Sequence, residues 1–466
     1  MARSVRTFVE AAVPDPILAR MLSVYHYGLA ALGAALYNLP SRELLVIGVT
    51  GTKGKTSVTE MLSAILEEAG FTTAVMNSIR FKTADESKPN LTRMSMAGRM
   101  FIQKFLRGAV DAGCTVAILE MTSEGARQHR QRFIDLDALV FTNLAPEHIE
   151  SHGSYEAYRD AKFEIGRQLA RSRKRPRTIV ANADDRESAR YLTLPVESAL
   201  PFTLSSHEPY GADEHGGFFT FDDTKISIHL PGEFSLKNAL AAAVVARALG
   251  VRGSTIAHAL DKVKKIPGRA EEIDVGQPFT VVVDYAHTPD SLKAIYDAYT
   301  SPSTSLGVKR KLICVLGATG GGRDTWKRPV MGRIAHEQCD TVILTDEDPY
   351  DEDPQKIIED IAHGMPAGAG GQKKPEVILD RRRAMRRAFE LAHEYARGQT
   401  GGAQNKIAVL ITGKGTDPSV CGKNGLQTPW SDAGVAREEL EQLSKAGGYT
   451  PWDNHSGTEN NPDSRN

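Results

Sequence analysis

From Glu43 onward, short apolar runs alternate with stretches whose apolar residues recur at helical spacing. The run LLVIGV (44–49) predicts a buried strand and leads into a glycine-rich turn. Val58, Met61, Leu62, Ile65, Leu66 and Ala69 then share one helical face, which Gly70 ends. Further strands are predicted at TTAVM (72–76), TVAILE (115–120), ALVFTN (138–143) and TIVAN (178–182). Strands that are apolar on both faces and interleaved with helices belong in a largely parallel sheet covered on both sides. A second series follows PGR (267–269): FTVVVD (279–284), KLICVL (311–316), TVILT (341–345), EVIL (376–379) and KIAVLIT (406–412). It predicts a second α/β domain.

Both ends of the chain break this rhythm. Residues 17–40 (ILARMLSVYHYGLAALGAALYNLP) are strongly apolar, but Arg20 and His26 interrupt them, leaving too short a run to cross a bilayer. No basic region, apolar core and small-residue cleavage site occur in signal-peptide order. A helix packed on the protein is expected, with membrane-surface contact as the alternative. The last 19 residues, GYTPWDNHSGTENNPDSRN, predict a disordered tail in which only Trp452 is suited to docking.

Composition changes this picture in three ways. A chain of 466 residues exceeds one core, so two or three domains are expected. A net charge of −1 leaves no excess of Lys and Arg to neutralise phosphates, which argues against a nucleic-acid partner. Cys114, Cys314, Cys339 and Cys421 lie far apart without CxxC spacing, so neither a structural zinc nor a disulfide framework is expected, and a reducing cytoplasm fits.

The chemistry starts where the first strand ends. TGTKGKTS (50–57) opens the first long helix, so backbone N–H groups of a glycine-rich turn and a helix N-terminus face an anion together. Gly51, Thr52, Lys53, Gly54, Lys55, Thr56 and Ser57 form a candidate phosphate cradle. Lys55 is placed for the β- and γ-phosphates and Thr56 for Mg²⁺. Val49 stands where the strict eight-residue pattern has glycine, so this is a variant loop. The fold class is α/β: a central P-loop-type parallel-sheet ATPase domain, a Rossmann-like C-terminal domain and a short helical N-terminal extension.

The loop resembles the TGT-x-GKT nucleotide loop of the Mur ligase family, and other motifs follow in that family's order. They are EMTSEGARQHR (120–130), FTNLAPEHIESHGSYEAYRDAK (141–162), LPGEFSLKNALAA (230–242), PGR, DYAHTPDSL (284–292), GATGGGRDTWKRPVMG (317–332), TDEDPYDEDP (345–354), DRRRA (380–384) and ITGKGTDP (411–418). The resemblance spans roughly Leu44 to Leu443 and is strongest to members that add the third residue of the peptidoglycan stem. It implies an ATP-dependent, ADP-forming amide ligase. ATP phosphorylates an acceptor carboxylate, and an amine attacks the acyl phosphate. It also implies ATP and two Mg²⁺ ions as cofactors, and a monomer without a transmembrane segment. Lys55, Glu120, His148 and Lys162 match the catalytic set; Thr56, Glu120, His148 and Lys162 match the metal set, with Lys162 carbamylated. Asn238, Arg269, Asp284 and His287 match nucleotide contacts. Thr122, Gln128 and Arg130 match acceptor contacts. Arg323, Asp348, Tyr350, Gly413 and Asp417 match positions around the incoming amino acid. The implied domains are a helical extension (1–42), the ATP-binding domain (43–268), the C-terminal ligase domain (269–447) and the tail (448–466).

Three departures bear on substrate. About 43 residues precede the first strand where those members carry a UDP-holding domain, which puts UDP-anchored recognition in question. Glu347-Asp348-Pro349-Tyr350 stands for the Asp-Asn-Pro-Arg of diaminopimelate-adding enzymes, and Tyr350 cannot pair with a distal carboxylate. An acidic pocket of Glu347, Asp348 and Asp351 is expected to favour lysine or ornithine. Glu124 replaces a family histidine, and Thr416-Asp417 replaces His-Glu. The implied acceptor is a carboxylate such as UDP-N-acetylmuramoyl-dipeptide. The alternatives are a Mur-type ligase with a non-UDP acceptor (poly-amino-acid, folate-like or another cell-wall polymer) and a non-catalytic ATP-binding partner.

Overall fold

A computed structural model describes residues 15–300, 310–366, 374–397 and 407–445. The predicted tail with Trp452, and the first 14 residues of the N-terminal extension, lie outside the described residues. The chain divides into two compact units, the first running to Lys264 and the second beginning at Lys265.

In the first unit, strands β1 (Leu45–Thr50), β2 (Thr73–Met76), β3 (Arg80–Thr83), β4 (Glu86–Pro89), β5 (Val116–Glu120), β6 (Ala138–Phe141), β7 (Thr178–Asn182) and β8 (Ser198–Phe202) form one sheet. Their order is β4-β3-β2-β5-β1-β6-β7-β8. All pairings are parallel except those of β3 and β4, which extend one edge as an antiparallel hairpin. Strand β1 is central: Val49 pairs with Glu120 of β5, and Thr50 with Phe141 of β6. The carboxyl ends of these three strands therefore open together, where open α/β sheets bind ligands. A Cβ on Gly48 of β1 would meet Met121 Sδ at 2.7 Å, so the glycine gives that buried thioether its room. The helix Lys55–Glu68 follows β1 and packs on the alanine-rich helix Glu233–Ala248, whose small side chains permit close approach.

A short antiparallel sheet of β9 (Gly211–Ala212), β10 (Gly217–Phe221) and β11 (Thr224–Ile228) was not anticipated. Its hairpin turns at Asp222 and Asp223, both at positive φ (48° and 54°). That is the two-residue geometry that asparagine and glycine more often announce. The expected N-terminal helix is present at Asp15–Leu36 and packs on the helix Arg99–Asp111. No helix among the described residues is long and apolar enough to cross a membrane.

The second unit holds a six-stranded sheet of β12 (Glu271–Glu272), β13 (Thr280–Asp284), β14 (Lys311–Leu316), β15 (Thr341–Leu344), β16 (Glu376–Val377) and β17 (Ile407–Thr412). It is ordered β12-β13-β17-β14-β15-β16, parallel apart from β12. Val281, Val283, Ile313, Val315, Ile343 and Ile411 pack with Met385 and Phe389 of the helix Arg381–Arg397. A buried ion pair fixes this helix: Arg381 Nη2 lies 2.7 Å from Asp432 Oδ2 and also donates to the Thr412 carbonyl at 2.8 Å. Trp430 Nε1 donates to Asp432 Oδ1 at 2.7 Å, so the buried carboxylate is fully engaged.

One expectation is corrected. Cys314 and Cys339 form a disulfide with Cα atoms 6.2 Å apart, although they are 25 residues apart in sequence. Cys314 lies in β14 and Cys339 ends the helix Lys327–Gln338 just before β15, the parallel neighbour of β14, and linear spacing carried no sign of it. Alkylation of the unfolded, unreduced protein is expected to label Cys114 and Cys421 alone, with all four cysteines labelled after reduction. Intact mass reads the difference, and full labelling without reductant would contradict the pairing.

Candidate active site

The glycine loop between β1 and the helix Lys55–Glu68 has backbone that only glycine fits. Gly51 and Gly54 have φ of 146° and 85°; a Cβ on Gly51 would overlap Thr142 Oγ1, and one on Gly54 would overlap Asn238 Oδ1. The end of β6 holds the loop: Asn143 accepts from Thr52 N through its carbonyl (2.8 Å) and from Lys53 N through Oδ1 (2.9 Å). Thr142 Oγ1 donates to the Lys53 carbonyl at 2.6 Å. The helix Tyr155–Arg171 supplies two more anchors. Tyr158 OH lies 2.8 Å from Thr52 Oγ1, and Lys162 Nζ donates to the Gly51 carbonyl at 2.8 Å. Lys53 reaches Glu147 at 3.0 Å, and Lys55 Nζ rests on the Thr52 carbonyl at 2.9 Å. Gly54 caps the helix without any side chain, which leaves its first N–H groups and the dipole for an anion.

Beside the loop stands an oxygen cluster. Glu120, 2% exposed at the end of β5, accepts from Thr56 Oγ1 at 2.9 Å and from Ser78 N at 3.1 Å. Ser78 Oγ lies 2.8 Å from Thr56 Oγ1, and Lys55 Nζ is 3.9 Å from Glu120 Oε1. One carboxylate and two hydroxyls are hard donors suited to Mg²⁺. Ser78 was missed from sequence; its only signal was a position just beyond β2, the neighbour of β5.

Of the four expected metal residues, Thr56 and Glu120 are hydrogen-bonded to each other, and His148 and Lys162 both lie against the Tyr158 ring. Among the described residues no three His, Cys, Asp or Glu side chains cluster as a metal site. His148, at φ 57°, stands edge-on to the Tyr158 ring at 6.2 Å. Lys162 is buried with Nζ 4.9 Å above the same ring. Burial, and after it the neighbouring Lys55 charge, push its amine well toward the neutral form. His152 packs edge-on to Tyr158 at 5.3 Å, and burial followed by Arg127 lowers its pKa to about 4.

Of the acceptor residues, Thr122 caps the helix Ser123–Arg127 by accepting from Gly125 N at 3.1 Å. Arg130 Nη2 donates to Gln128 Oε1 at 2.8 Å. Glu124 is exposed and accepts from Gln128 Nε2 at 2.8 Å. In the second unit, Asp284 accepts from Ala270 N at 2.6 Å and Ala286 N at 2.7 Å. Arg269 lies over the Tyr285 ring at 4.6 Å, and His287 Nδ1 donates to the Tyr285 carbonyl at 2.6 Å.

The acidic pocket needs correction. Asp348 is buried and bridged by Lys414 Nζ, 3.0 Å from each carboxylate oxygen, and accepts from Cys421 N. Asp351 accepts from Asn424 N at 2.7 Å. Lys414 also pairs with Asp417 at 3.1 Å. A buried carboxylate without a cation is costly, so Lys414 neutralises Asp348 and Asp417 within the fold, whereas Asp351 is exposed. Glu347 differs: Oε1 accepts from Thr319 at 2.8 Å, Oε2 has no partner, and burial raises its pKa. Gly413 (φ 112°) leaves room for that oxygen, which a Cβ would overlap. Arg323 stacks over the Tyr350 ring at 4.8 Å.

A glycine loop at a strand–helix junction, an acidic strand end and a second α/β sheet define a nucleotide-binding enzyme class of two α/β units. Residues 49–246 match the Mur ligase middle domain, and residues 268–415 match the Mur ligase glutamate ligase domain. A UDP-N-acetylmuramyl-tripeptide synthetase of Roseiflexus sp. is 36% identical, over 93% of this chain and 85% of its own. A solved UDP-N-acetylmuramoyl-L-alanyl-D-glutamate–2,6-diaminopimelate ligase is 27% identical with a TM-score of 0.56, covering 86% of this chain and 79% of that one. Mycobacterium tuberculosis folylpolyglutamate synthase shares the fold at 16% identity and a TM-score of 0.63, covering 96% and 98%. The chain belongs to the Mur ligase family of ATP-dependent, ADP-forming amide ligases.

Two outcomes follow. Gly51→Ala distorts the loop by about 1–3 kcal/mol and is expected to weaken ATP binding about tenfold or more, with unchanged circular dichroism; calorimetric titration checks it. His152 has a folded pKa below its ordinary 6.5, so its contribution is complete above pH 6.5 and is lost as pH falls towards 4. Urea midpoints measured across that range should fall less steeply in His152→Gln than in the unsubstituted protein.

Proposed function

We propose that this ligase joins an amino acid, lysine or ornithine, to the terminal carboxylate of UDP-N-acetylmuramoyl-L-alanyl-D-glutamate, in the cytoplasm where ATP is available. The observation that carries the reading is the Thr56–Ser78–Glu120 oxygen cluster beside a glycine loop that exposes backbone N–H groups and Lys55. The loop and Lys55 bind the triphosphate and hold its γ-phosphorus in line with the acceptor carboxylate. Thr56, Ser78 and Glu120 would hold Mg²⁺, which would supply positive charge to offset that of two anionic reactants. A carboxylate oxygen bonds to phosphorus as ADP leaves. The amine then bonds to the acyl carbon, the carbon–oxygen bond to phosphate breaks, and the amine proton passes to solvent.

Lys162 is proposed to become a carbamate. Its neutral amine adds to carbon dioxide, forming an N–C bond and releasing a proton, and turns a buried cation into an oxygen ligand. Burial of Nζ against the Gly51 carbonyl supports this. With His148 it would serve a second Mg²⁺. Lysine or ornithine is favoured because Tyr350 lacks the charge to hold a distal carboxylate, whereas the unpartnered Oε2 of Glu347 can accept from an ammonium. Arg323 and Asp417 are assigned to the amino acid's own carboxylate and amine.

Phosphate release from ATP with this acceptor is expected with lysine or ornithine and absent with diaminopimelate. Lys162→Ala is expected to lose on the order of 100-fold in kcat and to bind ATP more weakly, because the Gly51 carbonyl loses its donor. Release with diaminopimelate alone would overturn the amino-acid assignment, and no release with any amino acid would overturn the acceptor.

A further inference from the structure

The surroundings of Gln128 hold more positive charge than the steps above use. Arg99, in the helix Arg99–Asp111, donates from Nε to the Gln128 carbonyl and from Nη2 to Gln128 Oε1, both at 3.2 Å. Arg130 donates from Nη2 to that same Oε1 at 2.8 Å and from Nη1 to the Met96 carbonyl. Two guanidiniums thus converge on one neutral amide oxygen. Among the described residues neither is paired with a carboxylate, and burial is the leading influence on both, lowering their pKa values. Glu124, the acid of this neighbourhood, is exposed and already engaged by Arg127 and Gln128.

The N-terminal helix Asp15–Leu36 contributes to the same cluster. Ser23 Oγ lies 2.8 Å from His129 Nε2, and Tyr27 stands edge-on to the His129 ring at 5.8 Å. His26 feels the charges of Arg99, His129 and Arg130, which, after burial, hold its imidazole below the ordinary value. His26 Nδ1, His129 Nδ1 and Arg130 Nε are buried without a hydrogen-bond partner. Gathering half-buried cations and leaving buried polar nitrogens unmet both cost free energy. An oxyanion relieves both costs, and two guanidinium forks suit its geometry. Gln128 and Arg130 lie on the segment that leaves β5 directly after Glu120, so such an anion belongs to the molecule whose carboxylate is activated there.

We propose that Arg99, Arg130 and His26 form a subsite for an oxyanion of the acceptor other than its reacting carboxylate, with the N-terminal helix as one wall of the acceptor site. The source of the ligand rests on the acceptor proposed above; the chemistry of the site does not. A carrier phosphate and a second carboxylate share that chemistry, and the test separates them.

Calorimetric titrations would use the full chain with its phosphate loop filled by a non-hydrolysable ATP analogue. The ligands are UDP-N-acetylmuramoyl-L-alanyl-D-glutamate, its phosphate-free N-acetylmuramoyl-dipeptide, its α-amidated form, and pyrophosphate. The whole acceptor should bind about tenfold or more tightly than whichever form lacks the recognised oxyanion. Arg99→Gln should erase that difference, and Arg99→Lys should keep part of it. Equal binding of every ligand by Arg99→Gln and the unsubstituted chain would overturn the subsite. If the unsubstituted chain binds neither acceptor form, the acceptor reading fails, and pyrophosphate still decides. Binding that Arg99→Gln loses supports the subsite, and no binding by the unsubstituted chain overturns it.

Discussion

The Gly51 carbonyl is the point on which the active site depends. It accepts from the buried Lys162 amine, while the glycine itself tolerates no Cβ because Thr142 occupies that space. Thr52 N and Lys53 N are spent on Asn143, which leaves the uncapped helix start to face a ligand, while the carbonyls of Gly51 and Lys53 point back into the protein and need donors there. Lys162, Thr142 and Asn143 supply them from the helix Tyr155–Arg171 and the end of β6. The loop is thus shaped before any nucleotide arrives, and its supports come from residues more than 85 positions away.

Burial of charge organises the rest. In the second unit Arg381 is matched by Asp432, Lys414 by Asp348, and Arg328 by Glu352 and Asp360. Each pair satisfies the cost of desolvating its members and leaves little charge for a ligand. Groups that escape this pairing therefore stand out: the Oε2 atom of Glu347, and the Arg99–Arg130 pair that shares one amide oxygen. An uncompensated buried group is a cost the fold bears without structural return, which is why these groups carry the proposals for substrate contact.

Linear order carried the layered architecture well. Continuous apolar runs fixed β1, β5, β6, β7, β13, β14 and β17 to within a residue or two, because strands buried on both faces need apolar residues at every position. The loop was legible because its glycines, Lys55 and Thr56 are contiguous. What spacing did not carry were pairings made by the sheets: Ser78 beside Thr56, the Cys314–Cys339 bond, and the small sheet turned by two aspartates. The acidic stretch at 345–354 read as a pocket because its carboxylates are adjacent, whereas Lys414, 66 residues on, neutralises Asp348.

The sequence by itself determined the two α/β series, the phosphate loop and the family resemblance, since each rests on residues close together in the chain or on the order of motifs. Only the tertiary structure decided which charges are spent within the fold and which are left for ligands. Neutralisation depends on distance in space, and a residue's partner across a sheet or loop leaves no trace at its own position in the chain.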